Sequence, residues 1–242
     1  MDVSQQYIIY GVDKIPFELQ PRNNNANKVL IKVQPDCNVI VLAPQSASID
    51  EIFVAVNKRA RWVHSKLEEF KAQREQTTPR QYVSGESHYY LGKKYILKVT
   101  NNPHEKQNTK LLRGKLEITA QDPDQQKVKT LLINWYKEKA GEVFNRRLDI
   151  LLSKTLWVTT RPDIYLKSMQ TQWGNCSPTG KLTLNPHLVK APHECIDYVI
   201  LHELCHIAEH NHSEKFYRIL TQVVPNWEKI KLYLDSKASA YL

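Results

Sequence analysis

The sequence holds no run of about eighteen consecutive apolar residues, so no transmembrane helix and no membrane partner are expected. Its opening stretch, MDVSQQYIIYG, does not join a basic region to an apolar run and a small-residue cleavage site, so it is not read as a secretory signal. Cysteine is sparse. Cys37, Cys176, Cys195 and Cys205 form no CxxC pair, which argues against a cysteine-based zinc site and predicts free thiols in a reducing cytoplasm. With 7 glycines and 12 scattered prolines there is no flexible linker by composition. No internal repeat is found, and NNNAN at 23–27 reads as a loop or hairpin tip.

What is present is a folded chain of ordinary hydrophobic content, 41%, in 242 residues, enough for one large domain or two modest ones. The formal net charge is +9, which suits a polyanionic partner and makes contact with DNA or nucleoprotein an expectation to test. Lys58, Arg59, Arg61, Lys66, Lys71 and Arg74 share one predicted helix, but Glu68, Glu69 and Glu75 are mixed among them.

VLIKV (29–33) and NVIVLA (38–43) flank the turn-like QPDC and predict a β-hairpin. Ser48 and Glu51 match a capping box, and Ile52, Val56, Ala60, Val63, Leu67 and Phe70 predict one long helix ending near Ala72. EQTTPRQ (75–81) is a polar connector. YYLGKKYILKVT (89–100) and KLLRGKLEIT (110–119) read as strands broken at glycine turns. Helical spacing returns over 125–152, with Gly141 inside it at a cost of about 1 kcal/mol. LWVTT (156–160), IYLKSMQTQW (164–173) and KLTLN (181–185) are strand-like. The fold class expected is α+β, with a boundary near residue 124 between a mostly β part (1–124) carrying one long helix and an α+β part (125–242).

The chemistry concentrates in HELCHIAEHNH, residues 202–212. Four residues of α-helix turn through about 400°, so His202 and His206 share one face, one turn apart. Ile196, Val199, Ile200, Leu204 and Ile207 give that helix an apolar side, and buried imidazoles need partners. A metal ion is one such partner. In an HExxH motif the intervening carboxylate, here Glu203, is the general base beside a zinc ion. A catalytic zinc takes three protein ligands, and the candidates for the third are His210, His212 and Glu209. Ligands at i, i+4 and i+8 spread over about 12 Å of helix axis, so the chain must bend back. Asn211 stands before Glu214 at N-cap spacing and supplies the bend, which favours His212, in the first turn of a second helix, over His210. Cys205, inside the motif, is read as a buried filler, as are Cys176 and Cys195.

The stretch QTQWGNCSPTGKLTLNPHLVKAPHECIDYVILHELCHIAEHNHSEKFYRIL resembles the YgjP-like metallopeptidases, a group related to the SprT zinc proteases. The resemblance implies a zincin-like core, with the active-site helix packed on a small antiparallel sheet. It implies zinc held by His202, His206 and His212, and Glu203 as catalytic base. It also implies a protein or peptide substrate bound by β-addition along an edge strand, for which Lys181, Leu182, Thr183, Leu184 and Asn185 are the candidates. Two positions depart from the family pattern: Gln172 stands for the arginine usual before Trp-Gly, and Asn175 for the following serine. No transition-state donor beyond the metal is visible in the sequence; Tyr198 and Tyr217 are candidates, with packing on their amphipathic helices as the alternative reading. The reading is a zinc metallopeptidase. A metal-dependent hydrolase of a non-peptide bond and a non-catalytic metal-bound module are the alternatives.

Overall fold

The structure is a computed structural model and describes residues 6–22, 28–34, 36–75 and 80–242, with backbone alone for 72–75. The NNNAN tract and most of the EQTTPRQ connector lie outside the described residues. The chain divides into two compact units, Met1–Thr78 and Pro79–Leu242.

In the first unit, β1 (Gln6–Tyr10), β2 (Asp13–Pro21), β3 (Leu30–Val33) and β4 (Val39–Ala43) form a mixed sheet in the order β1-β2-β4-β3. The expected hairpin is β3–β4, antiparallel with Leu30 opposite Leu42, whereas β2 and β4 run parallel. Side chains alternate across a strand, so Ile8, Ile15, Phe17, Val39 and Val41 fall on one buried face. Two helices share their core, through Ile52 and Val56 on α1 (Ile49–Asn57) and Ala60, Val63 and Leu67 on α2 (Ala60–Glu75). Ser48 and Glu51 complete the capping box, with Ser48 N–H donating to Glu51 Oε2 at 2.9 Å. The single helix expected from the spacing is therefore two. Around Lys58 and Arg59 the ladder tightens, Arg59 N–H donating to Val56 O, and no glycine or proline accounts for the break.

The second unit opens with a mixed sheet of β5 (Ser87–Tyr90), β6 (Lys93–Asn101), β7 (Asn108–Leu112) and β8 (Lys115–Ala120), in the order β5-β6-β8-β7. Its two hairpin turns, Leu91-Gly92 and Arg113-Gly114, have positive φ at both positions, the type I′ requirement that glycine meets at the second. Then α3 (Gln125–Leu151) starts at Asp124, whose side chain accepts from Lys127 N–H at 2.7 Å. Its buried face (Leu132, Trp135, Ala140, Phe144, Leu148) packs with Leu97, Leu116 and Ile118 of the sheet and with the apolar side of α4 (His193–Ala208) in one core. Residues 87–120, grouped by the sequence reading with the N-terminal part, thus share a hydrophobic core with α3 and α4.

Three short strands follow, β9 (Ile164–Leu166), β10 (Gly174–Cys176) and β11 (Leu182–Leu184), in the order β10-β11-β9. The small sheet, expected to be antiparallel, is mixed, because β9 pairs with β11 in parallel. Residues 156–160 form no strand; Leu156 is exposed, and Trp157 Nε1–H donates to Leu204 O at 2.9 Å. A 3-10 turn (Pro186–Lys190) leads into α4, and α5 (Glu214–Val223), α6 (Trp227–Ser236) and α7 (Ala238–Tyr241) end the chain. The β5–β6 turn docks where α4 begins, with Leu91 N–H on Val189 O and Gly92 N–H on Lys190 O, both at 2.9 Å. Among the described residues no helix is long and apolar enough to cross a membrane.

Candidate metal centre

Cys195, Ile196, Val199, Ile200 and Leu204 sink one side of α4 into the core. This leaves His202 and His206 one turn apart at its flank, with ring centroids 5.2 Å apart. The helix stops at Ala208, and Glu209 is extended at φ −147°. Ser213 then caps α5, its Oγ accepting Phe216 N–H at 3.3 Å. The cap is Ser213, not Asn211, and His212 sits just before the helix instead of in its first turn. Asn211 contributes its carbonyl, which accepts Ser213 N–H at 2.8 Å.

That reversal returns His212 to within 5.1 Å of the His202 ring and 4.7 Å of the His206 ring, centroid to centroid. All three rest on the fully buried Phe216. One ring nitrogen from each histidine lies within 4.8 Å of the others, and among the described residues no second group of three such side chains has that spacing. His210 is exposed and stands outside the cluster. The carboxylate of Glu209 pairs with Lys215 at 3.3 Å, while its backbone carbonyl lies 3.2 Å from His206 Nδ1.

The donor set suits a cation. Burial, then the neighbouring His206, His212 and Lys231, hold His202 down to about 3, and burial followed by His206 lowers His212. Both rings are therefore neutral near pH 7, the form that ligates metal. His202 Nε2 and His212 Nε2 face each other at 3.0 Å, two lone-pair sites that a shared cation would satisfy together. The Glu209 carbonyl beside His206 Nδ1 is the kind of partner that fixes the tautomer of a ligating imidazole.

Glu203, buried, points to the small sheet. Burial pushes its carboxyl up to about 7, opposed by a hydrogen bond from the backbone N–H of Cys176. It lies so close to Gly174 that a Cβ there would stand 2.7 Å from its Oε1. Trp173 O accepts from Asn185 N–H and Lys181 O accepts from Ser177 N–H, both at 2.9 Å. Bonded pairs alternate in an antiparallel ladder, so Gly174 and Cys176 turn their main-chain groups away from β11.

The substrate strand expected at Lys181–Asn185 is corrected by this topology. Leu182, Thr183 and Leu184 form the central strand, paired with β10 on one side and β9 on the other, so β11 offers no free edge. Leu182 and Leu184 are core residues. Asn185 is buried, its Nδ2 donating to Met169 O and Gln172 O, and Lys181 lies outside the cleft. The edge nearest the histidines is β10.

A cleft of about 610 Å³ exposes the cluster, with Gly174, Asn175, Cys176, Tyr198 and Glu203 on its walls. Lys231, Leu234 and Asp235 of α6 also line it, and the motif reading missed them because α6 lies beyond the motif. Gly174 was legible in principle, since a glycine inside a strand marks close approach of another group. Gln172 and Asn175, the two departures from the family pattern, both face the cleft. Burial raises the thiols of Cys176 and Cys195 to about 11 and that of Cys205 to about 12, so none is a ready thiolate.

An α+β unit with three converged imidazoles beside a buried glutamate defines a candidate metal-dependent enzyme. The model of the YgjP-like, metallopeptidase domain family matches residues 27–237, and the chain belongs to that family. Membership implies a divalent metal and suggests metal-dependent peptidase activity. Among solved structures, the crystal structure of the metallopeptidase zymogen of Pyrococcus abyssi abylysin is similar at 22% identity and a TM-score of 0.36, covering 39% of this chain and 93% of that one. No curated protein matches the chain.

Proposed function

We propose that the protein is a zinc-dependent peptidase in which His202, His206 and His212 hold the ion and Glu203 is the general base. The observation that carries this is the convergence of three imidazoles on one point in an open cleft, next to a buried carboxylate. Zinc held there would supply Lewis acidity, polarising the scissile carbonyl and easing the deprotonation of water. Glu203 takes the proton from the attacking water and returns it to the leaving amine. Its burial favours the protonated form it must pass through, while the Cys176 N–H fixes the carboxylate in place. The substrate main chain lies along β10, where Gly174 presents its outward main-chain groups and Cys176 its carbonyl, the Cys176 N–H being held by Glu203. A sealed, non-catalytic metal site would not leave its ligands lining a cleft. Four unpaired cysteines support placing the protein in the cytoplasm.

The test compares wild type with Glu203→Gln on casein and a peptide library, after zinc is restored to both. The expected result is equal metal content and loss of hydrolysis in the variant. Equal activity would remove Glu203 from the mechanism. Cleavage of neither substrate by the zinc-loaded wild type would favour a non-peptide hydrolase.

A further inference from the structure

The net charge is unevenly placed. Between residues 93 and 117 seven cationic side chains stand against two acidic ones, more than half of the chain's formal +9. This segment is β6, β7 and β8. One face of their sheet buries Leu97, Leu116 and Ile118 in the core shared with α3. The other face is open and has a definite pattern. Ile96, Lys115 and Leu112 stand abreast in one row, and Lys98, Glu117 and Lys110 in the next. Neighbouring strands are about 4.8 Å apart and successive rows about 6.8 Å. Lys98 is paired with Glu117 at 3.3 Å; among the described residues Lys110 and Lys115 have no ion-pair partner. Ile96 and Leu112 are 43% and 42% exposed on either side of Lys115.

We infer that this face is a docking surface for an acidic, partly apolar protein segment lying beside the edge strand β7. Three lysines around one carboxylate leave a local positive excess, which selects an acidic partner. A nucleic-acid backbone answers the charge but leaves Ile96 and Leu112 uncovered, and neither row offers an aromatic ring for a base to stack on. An extended polypeptide repeats its side chains with the period of these rows. It sets an acidic residue beside Lys110 and an apolar one beside Leu112. β7 ends the sheet, so its outer edge has main-chain groups to give to such a segment.

The inference is independent of the peptidase reading. Binding is measured on the full chain carrying Glu203→Gln, so that cleavage does not consume the probe. The probes are a short labelled peptide of Glu-Ser-Leu-Ser repeats, whose glutamates and leucines alternate along one face of a strand, an all-glutamate peptide of the same length, a short DNA duplex, and anionic phospholipid vesicles. The alternating peptide should bind tightest. K98Q/K110Q/K115Q should weaken it about tenfold, the worth of three exposed charge pairs. I96S/L112S should weaken it by about the same factor with no change of charge. Circular dichroism and the melting temperature should stay at their parental values, since all five side chains are exposed. Absence of saturable binding by the alternating peptide overturns the proposal. So does equal or tighter binding of the all-glutamate peptide, the duplex or the vesicles, with I96S/L112S having no effect.

Discussion

Glu203 lies flat against Gly174: a Cβ built on the glycine would stand 2.7 Å from the carboxylate Oε1 and 2.8 Å from Cγ. The strand has no side chain there because the proposed base occupies the space. Gly174→Ala must therefore displace Glu203 or the β10 backbone. Activity should fall about 10²-fold, the scale of a misplacement near 1 Å, with metal content unchanged. Wild-type turnover in this variant would mean that the carboxylate's position does not matter to the reaction.

His212 and His210 differ by two positions but not by similar amounts in their expected effect. His212 faces His202 nitrogen to nitrogen, while His210 stands outside the cluster. His212→Ala should lower zinc affinity by about 10²-fold or more, exceeding the loss typical of an outer-shell partner. His210→Ala should stay within about threefold. Titration against a chromophoric chelator reads both, and the reverse order would reassign the third ligand.

Acid should destabilise the second unit through His88. The ring is 2% exposed, and burial, then the charges of Arg80 and Lys190, hold it down to about 3 from 6.5. It is neutral, so its 3.6 Å approach to Glu86 is not an ion pair at neutral pH. The unfolded chain accepts a proton that the folded one refuses. Stability is thus complete above about pH 6.5 and lost as pH falls from there toward 3, at about 1.4 kcal/mol per unit for this group. His88→Gln gives up the 3.3 Å contact between Arg80 Nη1 and His88 Nδ1 and should be less stable at neutral pH. It should also lose less on acidification. Urea unfolding of both proteins near pH 7 and near pH 5 measures the difference, and parallel losses would show that His88 does not titrate in this window.

Gly92 has two reasons to be glycine, φ at +79° and Pro192 Cγ only 2.8 Å from where its Cβ would be. Gly92→Ala should cost about 1–3 kcal/mol of folding stability by denaturant melt. The same substitution at Gly114, with φ +76° but open space around it, should cost less. Equal losses would mean that contact with Pro192, at the head of α4, adds nothing.

Much of this was legible from spacing. The α3 register, the Ser48 cap and the β3–β4, β5–β6 and β7–β8 hairpins follow from local rules, because their hydrogen bonds close within a few residues. The same rules gave His202 and His206 a common face. They failed where distant segments compete. The spacing from Ile52 to Phe70 is continuous, yet α1 and α2 part at Lys58. KLTLN alternates as a strand should, but alternation does not say whether a strand has a free edge. Ser213, two places beyond Asn211, took the cap, since both residue types can fill that position.

The amino-acid order alone determined that two imidazoles and a carboxylate share one helix and that the chain turns shortly after them, because 3.6 residues per turn and capping chemistry are local properties. Only the tertiary structure decided which strand backbone meets the carboxylate and that residues 87–120 share the core of the helix bearing the motif. Those outcomes depend on contacts between segments far apart in the chain, where burial of apolar surface selects the partner and no local pattern records it.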